Sequence, residues 1–163
     1  MTEITIASGF GKLLGPPFWA ALRAYVVPAR KLRKLYVLGI PNGLSMSDDE
    51  PLLQLRGSLE ELGLWGSEYG NPSIGLHRFP EAFSSLSNLQ NLALNNHFRI
   101  EAIPAGISNL KKLQRLAVYG CDLGSLPKEL GALTQLSQLF RLTSSCLSLS
   151  FVSLPPLKLF SCF

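Results

Sequence analysis

FPEAFSSLSNLQNLALNNHFRIEA (residues 79–102), IPAGISNLKKLQRLAVYGCDLGS (103–125) and LPKELGALTQLSQLFRL (126–142) carry one pattern three times, the last copy cut short. Pro80, Pro104 and Pro127 stand 24 and 23 residues apart, and the same offsets separate Leu86, Leu110 and Leu133, then Leu89, Leu113 and Leu136, then Leu92, Leu116 and Leu139. Apolar positions held in register at such a period mark stacked units, each of which buries its leucines only against its neighbours. The spacing L-x-x-L-x-L-x assigns one short strand to each unit. The prolines open the returning outer segment, where a fixed backbone angle helps and a missing donor does little harm.

Working outward, Leu59, Leu62 and Leu64 form an earlier strand segment, and Leu32, Leu35 and Val37 one before it. Leu53 falls where Phe83, Ile107 and Leu130 fall in later copies. The interval from Leu59 to Leu89 is 30 residues, and its surplus lies in a glycine- and serine-rich insertion at 66–75 bearing Tyr69 and Pro72. Insertions between stacked units form loops on one edge, where function often lies. Residues 42–51, with Asp48, Asp49 and Glu50, read as a solvated polar loop. In the spacing L-x-x-L-x-L-x-x-N/C-x-L the ninth position, which takes Asn or Cys, is Ile40, Ser67, His97 and Cys121 here. Isoleucine is not an accepted substitute, so the first unit looks like a degenerate edge repeat. Arg141 takes a core leucine position, so regular stacking is expected to fail near Phe140.

These spacings resemble the leucine-rich repeat family, convincingly over 79–139 and more weakly back to Leu32. The wording LP-x-x-L-x-x-L at Leu126 to Leu133 is similar to intracellular members, nearest the plant Ras-group-related and Ras-suppressor-like proteins, and to the repeats of plant disease-resistance proteins. The L-x-G-x-I-P signature of plant receptor ectodomains is absent; Leu123-Gly124-Ser125-Leu126-Pro127 stands in its place. The resemblance implies an α/β repeat solenoid: a short curved horseshoe with parallel concave strands and irregular or short helical convex segments. It also implies a protein partner, and it transfers no catalytic residue.

The organisation expected is a cap segment at 1–30, about five repeats at 31–142 with the first two irregular, and an atypical apolar tail at 143–163. Thr2 to Ile6 alternates over too few residues to assign. Phe18, Trp19, Leu22 and Tyr25 read as cap residues covering the first repeat. The tail, broken by Pro155-Pro156, reads either as an improvised cap or as foreign sequence joined to a truncated array by splicing or a gene-model error.

With 47% hydrophobic and 16% charged residues the chain is not disordered. Its net charge of +4 is concentrated before residue 40, in Lys12, Arg23, Arg30, Lys31, Arg33 and Lys34 against Glu3. No nucleic-acid recognition motif or interleaved aromatic array accompanies that basic end, so it reads as a solvated surface. Cys121, Cys146 and Cys162 form no C-x-x-C pair, and Asn71-Pro72-Ser73 is blocked as a glycosylation acceptor by its proline, so a reducing, cytoplasmic setting is expected. The apolar stretch 10–27 is interrupted by Lys12, Pro16, Pro17 and Arg23, which argues against stable membrane insertion and a secretory signal.

Catalytic signatures are missing. His77 and His97 are explained by the repeat, Cys121 should be buried and inert, and Gly9-Phe10-Gly11-Lys12 lacks phosphate-loop spacing. Glu60 and Glu61 are adjacent in a strand and point to opposite faces. No enzyme activity, metal or cofactor is expected. What remains is the outward strand face, where three stripes run across the units: Lys34, Glu61, Asn91, Arg115 and Gln138; Tyr36, Gly63, Ala93, Ala117 and Phe140; Leu38, Trp65, Asn95, Tyr119 and Leu142. Aromatics and arginine among small residues suit protein binding. Trp65, Tyr119 and Arg115 are the leading partner-binding candidates, with Tyr36, Asn95 and Glu61 beside them. The alternative is a fragment of a larger leucine-rich-repeat receptor, disease-resistance or regulatory protein without independent activity.

Overall fold

The computed structural model describes residues 2–7, 24, 31–40, 50–66, 76, 78–97, 99–142 and 158–159. Seven strands form one sheet: β1 Glu3–Ala7, β2 Lys34–Leu38, β3 Glu61–Trp65, β4 Asn91–Asn95, β5 Arg115–Tyr119, β6 Gln138–Leu142 and β7 Lys158–Leu159. Each pairs in parallel with the next in chain order. The chain therefore climbs one strand per unit and returns on the other side of the core, as a curved repeat solenoid does.

One motif starts strands β2 to β6. The Thr2 carbonyl accepts from the amides of Arg33 and Lys34, Arg33 from Glu60 and Glu61, Glu60 from Gln90 and Asn91, Gln90 from Gln114 and Arg115, and Gln114 from Ser137 and Gln138. The first of these bonds and the pairing of β1 with β2 add Glu3–Ala7, too short a stretch to assign from sequence, to the sheet as a further strand. The unit containing Ile40 is correspondingly interior to the sheet, with β1 on one side and β3 on the other. Ile40 itself is buried, and its amide donates to the Trp65 carbonyl.

The returning segments are short 3-10 helices, η1 Glu81–Ser85, η2 Ala105–Asn109 and η3 Lys128–Ala132. Pro80, Pro104 and Pro127 precede them with φ of −68°, −69° and −69°, the angle the pyrrolidine ring fixes anyway. A 3-10 helix has three residues per turn, so side chains three apart stack on one face. That explains why Phe83, Leu86 and Leu89 are buried together, as are Ile107, Leu110 and Leu113, and Leu130, Leu133 and Leu136. In each trio the amide of the second residue donates to the carbonyl of the first, and that of the third to the second, at 2.9–3.1 Å.

The unit before them departs from this rule, and with it the expectation for Leu53. Its return is α-helical, α1 Glu50–Leu53, and the Leu59 amide reaches the Leu55 carbonyl four residues back. The wider turn moves the buried face, so Leu52 and Leu55 enter the core while Leu53 is 38% exposed.

Leu32, Leu35 and Val37, then Leu59, Leu62 and Leu64, complete the same continuous core. Stacking does not fail near Phe140, because all five residues of β6 pair with β5. Ladder bonds are made by the backbone and tolerate Arg141 at a core register, where its guanidinium donates to the Leu123 carbonyl. The expected cap residues Phe18, Trp19, Leu22 and Tyr25, the 42–49 loop, the insertion at 67–75, His77 and the tail apart from 158–159 lie outside the described residues. No helix among the described residues is long and apolar enough to cross a membrane.

Candidate functional site

The sheet has two faces. Leucines from alternate strand positions fill the inner one, and the intervening residues form the other. Strand register aligns Lys34, Glu61, Asn91, Arg115 and Gln138 in one row, Tyr36, Gly63, Ala93, Ala117 and Phe140 in the next, and Leu38, Trp65, Asn95, Tyr119 and Leu142 in the third. Side-chain alternation along a strand puts all three rows on the same face.

At one end of this face Trp65 and Tyr36 pack with ring centroids 6.0 Å apart, tilted by 54°. Gly63 makes that possible. The Trp65 ring occupies the space that any side chain at 63 would fill, and Tyr36 Cδ1 would lie 2.8 Å from a Cβ there. Both aromatics also have polar tethers. The Tyr36 hydroxyl donates to Glu61 Oε2 at 2.5 Å. With the Asn95 amide in the orientation that satisfies both its neighbours, Oδ1 accepts from Trp65 Nε1 at 2.5 Å and Nδ2 donates to the Leu94 carbonyl at 3.2 Å. Tethered at both ends, the two rings lose little freedom when something packs on them.

Glu61 is the hub of this end. It pairs with Lys34 Nζ at 2.9 Å as well as with Tyr36. Partial burial works to raise its pKa, yet the Tyr36 hydroxyl, the Lys34 ammonium and Asn91 outweigh burial and hold the carboxyl below its ordinary value. Desolvation and the bond to Glu61 push the Tyr36 phenol up to about 12. The hydrogen bond and charge of Glu61 likewise raise Lys34. At neutral pH the cluster is thus a carboxylate, an ammonium and a neutral phenol, each fixed by the others.

At the other end Tyr119 and Phe140 lie 6.2 Å apart at 39°. Arg115, exposed, donates from Nε to Gln138 Oε1 at 2.6 Å. Between the two ends the middle row holds small residues only: Gly63 under the Trp65 ring, half-buried Ala93 and buried Ala117. All six candidates therefore share one face. Tyr36 with Glu61 and Trp65 with Asn95 are hydrogen-bonded pairs joined by the contact of the two rings, whereas Arg115 and Tyr119 sit two strands from Trp65, on β5. Gly63, whose empty side chain seats Trp65, and Gln138, which orients Arg115, stood in the rows read from sequence but not among the candidates. Register alone could have flagged both, since each is the direct neighbour of a candidate in its row.

His97 and Cys121 belong to the interior. His97 Nδ1 accepts from the Leu76 amide at 3.1 Å, so Nε2 carries the proton and donates to the Leu64 carbonyl at 3.2 Å. Burial pushes its pKa down to about 4 against that bond. The Cys121 thiol donates toward the carbonyls of Leu94 and Tyr119 at 4.0 and 3.6 Å, and burial raises it to about 11. Both side chains do what the usual asparagine does at this position: they satisfy backbone groups, His97 those of Leu76 and Leu64 and Cys121 that of Leu94 in the preceding unit and of Tyr119 in its own.

No family model matches the chain. It is 27% identical over 79 residues to the uridine 5'-monophosphate transferase of Xanthomonas campestris pv. campestris (strain 8004), a stretch amounting to 48% of this chain and 15% of that protein. Among solved structures it is similar to an LRR protein of Leptospira interrogans, with a TM-score of 0.58 at 21% identity, covering 88% of this chain and 38% of that one. The likeness shows the fold, a leucine-rich-repeat solenoid. The chain spans well under half the length of either protein.

Proposed function

We propose that this protein is a non-enzymatic interaction module that binds a protein partner on the open sheet face. Parallel strands sit about 4.8 Å apart, whereas the helical returns are wider, so a sheet on one side and helices on the other curve toward a horseshoe with the sheet inside. The observation that carries the reading is the in-register face itself, with Tyr36 and Trp65 at one end, Tyr119 and Phe140 at the other, and only small residues, Gly63, Ala93 and Ala117, in the middle row between. Pre-oriented aromatics beside small residues and polar rows have the make-up of an interface core with its rim. A signalling or recognition scaffold in a reducing cytoplasm suits this face, the free thiol of Cys121 and the intracellular-type wording of the repeats.

The transferase name belongs to a relative matched over 15% of its length, and the buried polar side chains His97 and Cys121 serve the packing of the repeats. A second reading, a recognition segment within a longer leucine-rich-repeat protein, is favoured by the small share of each relative that the chain covers. It keeps the same binding face.

The test is affinity capture with the immobilised full chain beside two variants of unchanged thermal melt: Trp65→Ala with Tyr119→Ala, and a control on the helical side, Lys111→Glu with Lys128→Glu. Proteins lost with the first variant and kept by the second support the proposal. Proteins kept by the first and lost by the second would place binding on the helical side.

A further inference from the structure

Charge is not spread evenly along the first row. From β1 to β7 its register positions are Glu3, Lys34, Glu61, Asn91, Arg115, Gln138 and Lys158. The early half is internally balanced: Lys34 is bonded to Glu61 and lies in the field of Glu3, and the neighbouring Arg33 pairs with Glu60 at 2.6 Å. The later half holds cations and amides only. Among the described residues no carboxylate lies within 4.0 Å of Arg115, whose direct neighbours in the row are Asn91 and Gln138. The bond from Nε to Gln138 occupies one edge of the guanidinium and orients the plane. The two Nη groups of the end-on edge are left for an acceptor, in the geometry that takes a carboxylate through two parallel bonds.

We infer that the partner on this face is an acidic, extended polypeptide segment, with an Asp or Glu carboxylate on Arg115 and a large apolar side chain packed on the Trp65 ring beside Ala93. The inference rests on the reading of the sheet face as the binding surface and adds the chemistry of what it binds. A phosphate-rich partner such as nucleic acid is disfavoured by the same row, because the side chains flanking Arg115 are amides and the adjoining middle row is apolar. Arg115 and Trp65 are two strands and four residues apart, about 16 Å on the diagonal, which an extended chain covers in about five residues. The carboxylate and the apolar side chain should therefore be separated by about that number.

The experiment pans a displayed library of random peptides, about 12 residues long, on the full chain, then titrates the enriched consensus as a synthetic peptide. The result expected is a consensus with Asp or Glu about five residues from Phe, Leu, Ile or Met. Its affinity should fall about tenfold or more in Arg115→Glu, and should recover when the peptide's acid is replaced by Lys. Arg115 is exposed, so an unchanged melt of the variant is expected and checked. Arg115→Lys, which keeps the charge and loses the fork, should lose part of the affinity. Three results overturn the inference: no enrichment, a consensus without an acid, or equal binding by Arg115→Glu. If binding then still depends on Trp65 and Tyr119, the surface reading stands and only the acidic partner falls. If neither substitution matters, both fall.

Discussion

A histidine that must stay neutral to hold two backbone groups makes the fold sensitive to acid. His97 accepts from Leu76 and donates to Leu64 through its two ring nitrogens, and protonation would turn the acceptor into a second donor facing an amide. Its pKa falls from 6.5 to about 4 in the folded chain, so the unfolded chain takes up the proton first as pH drops. Stability from this site is complete above pH 6.5, declines as pH falls, and is down by about 3 kcal/mol at pH 4. Glu61, whose carboxyl is held below its ordinary value, loses its share only at lower pH, as the carboxyl takes up its proton. Urea unfolding of the wild type and His97→Asn at pH 7 and pH 4.5 checks this: the drop between the two pH values should be smaller in the variant by about 2–3 kcal/mol. Equal drops would mean that the ring does not carry this linkage. The sequence showed that His97 stands at the asparagine position; it could not show which backbone groups the ring would meet, because Leu76 lies 21 residues away.

Among the elements, the return segments separate what a repeat fixes from what local geometry decides. The convex segments were expected to be irregular or short helical; apolar residues three apart after each proline make them 3-10 turns facing the core, η1, η2 and η3. The irregular unit has no proline at the matching place and closes with a four-residue bond from Leu59 to Leu55, which shifts the buried set to Leu52 and Leu55. Alignment by position selected Leu53, since counting backward from Leu59 assumes three residues per turn throughout. The two possibilities differ sharply in energy. Leu52→Ala should cost about 2–5 kcal/mol, as removal of a fully buried leucine does, and Leu53→Ala less than about 1 kcal/mol. Denaturant midpoints at constant slope measure both. A larger loss for Leu53→Ala would restore the aligned register.

At the scale of the whole molecule, the described residues form a single stacked sheet over one core, and that much was written in the leucine period: strands β2 to β6 fall on the five segments read from spacing. The flanking strands β1 and β7 were not legible. Glu3–Ala7 is too short to show a period of its own, and Lys158–Leu159 lies beyond the last recognisable leucine of the array. The candidate residues were legible as rows because parallel register repeats every unit, but their bonding was not. That Trp65 lies on Gly63 and that Arg115 is oriented by Gln138 depends on rotamers, which a one-dimensional pattern does not carry. Function at this scale comes down to which side of the sheet a partner covers. Hydroxyl-radical footprinting of the full chain, alone and with its captured partner, answers that most directly. With the partner on the sheet face, oxidation of Trp65, Tyr36 and Tyr119 falls in the complex while that of Leu53 and Pro127 is unchanged. Unchanged oxidation of the three aromatics, with protection on the helical side, would contradict that placement.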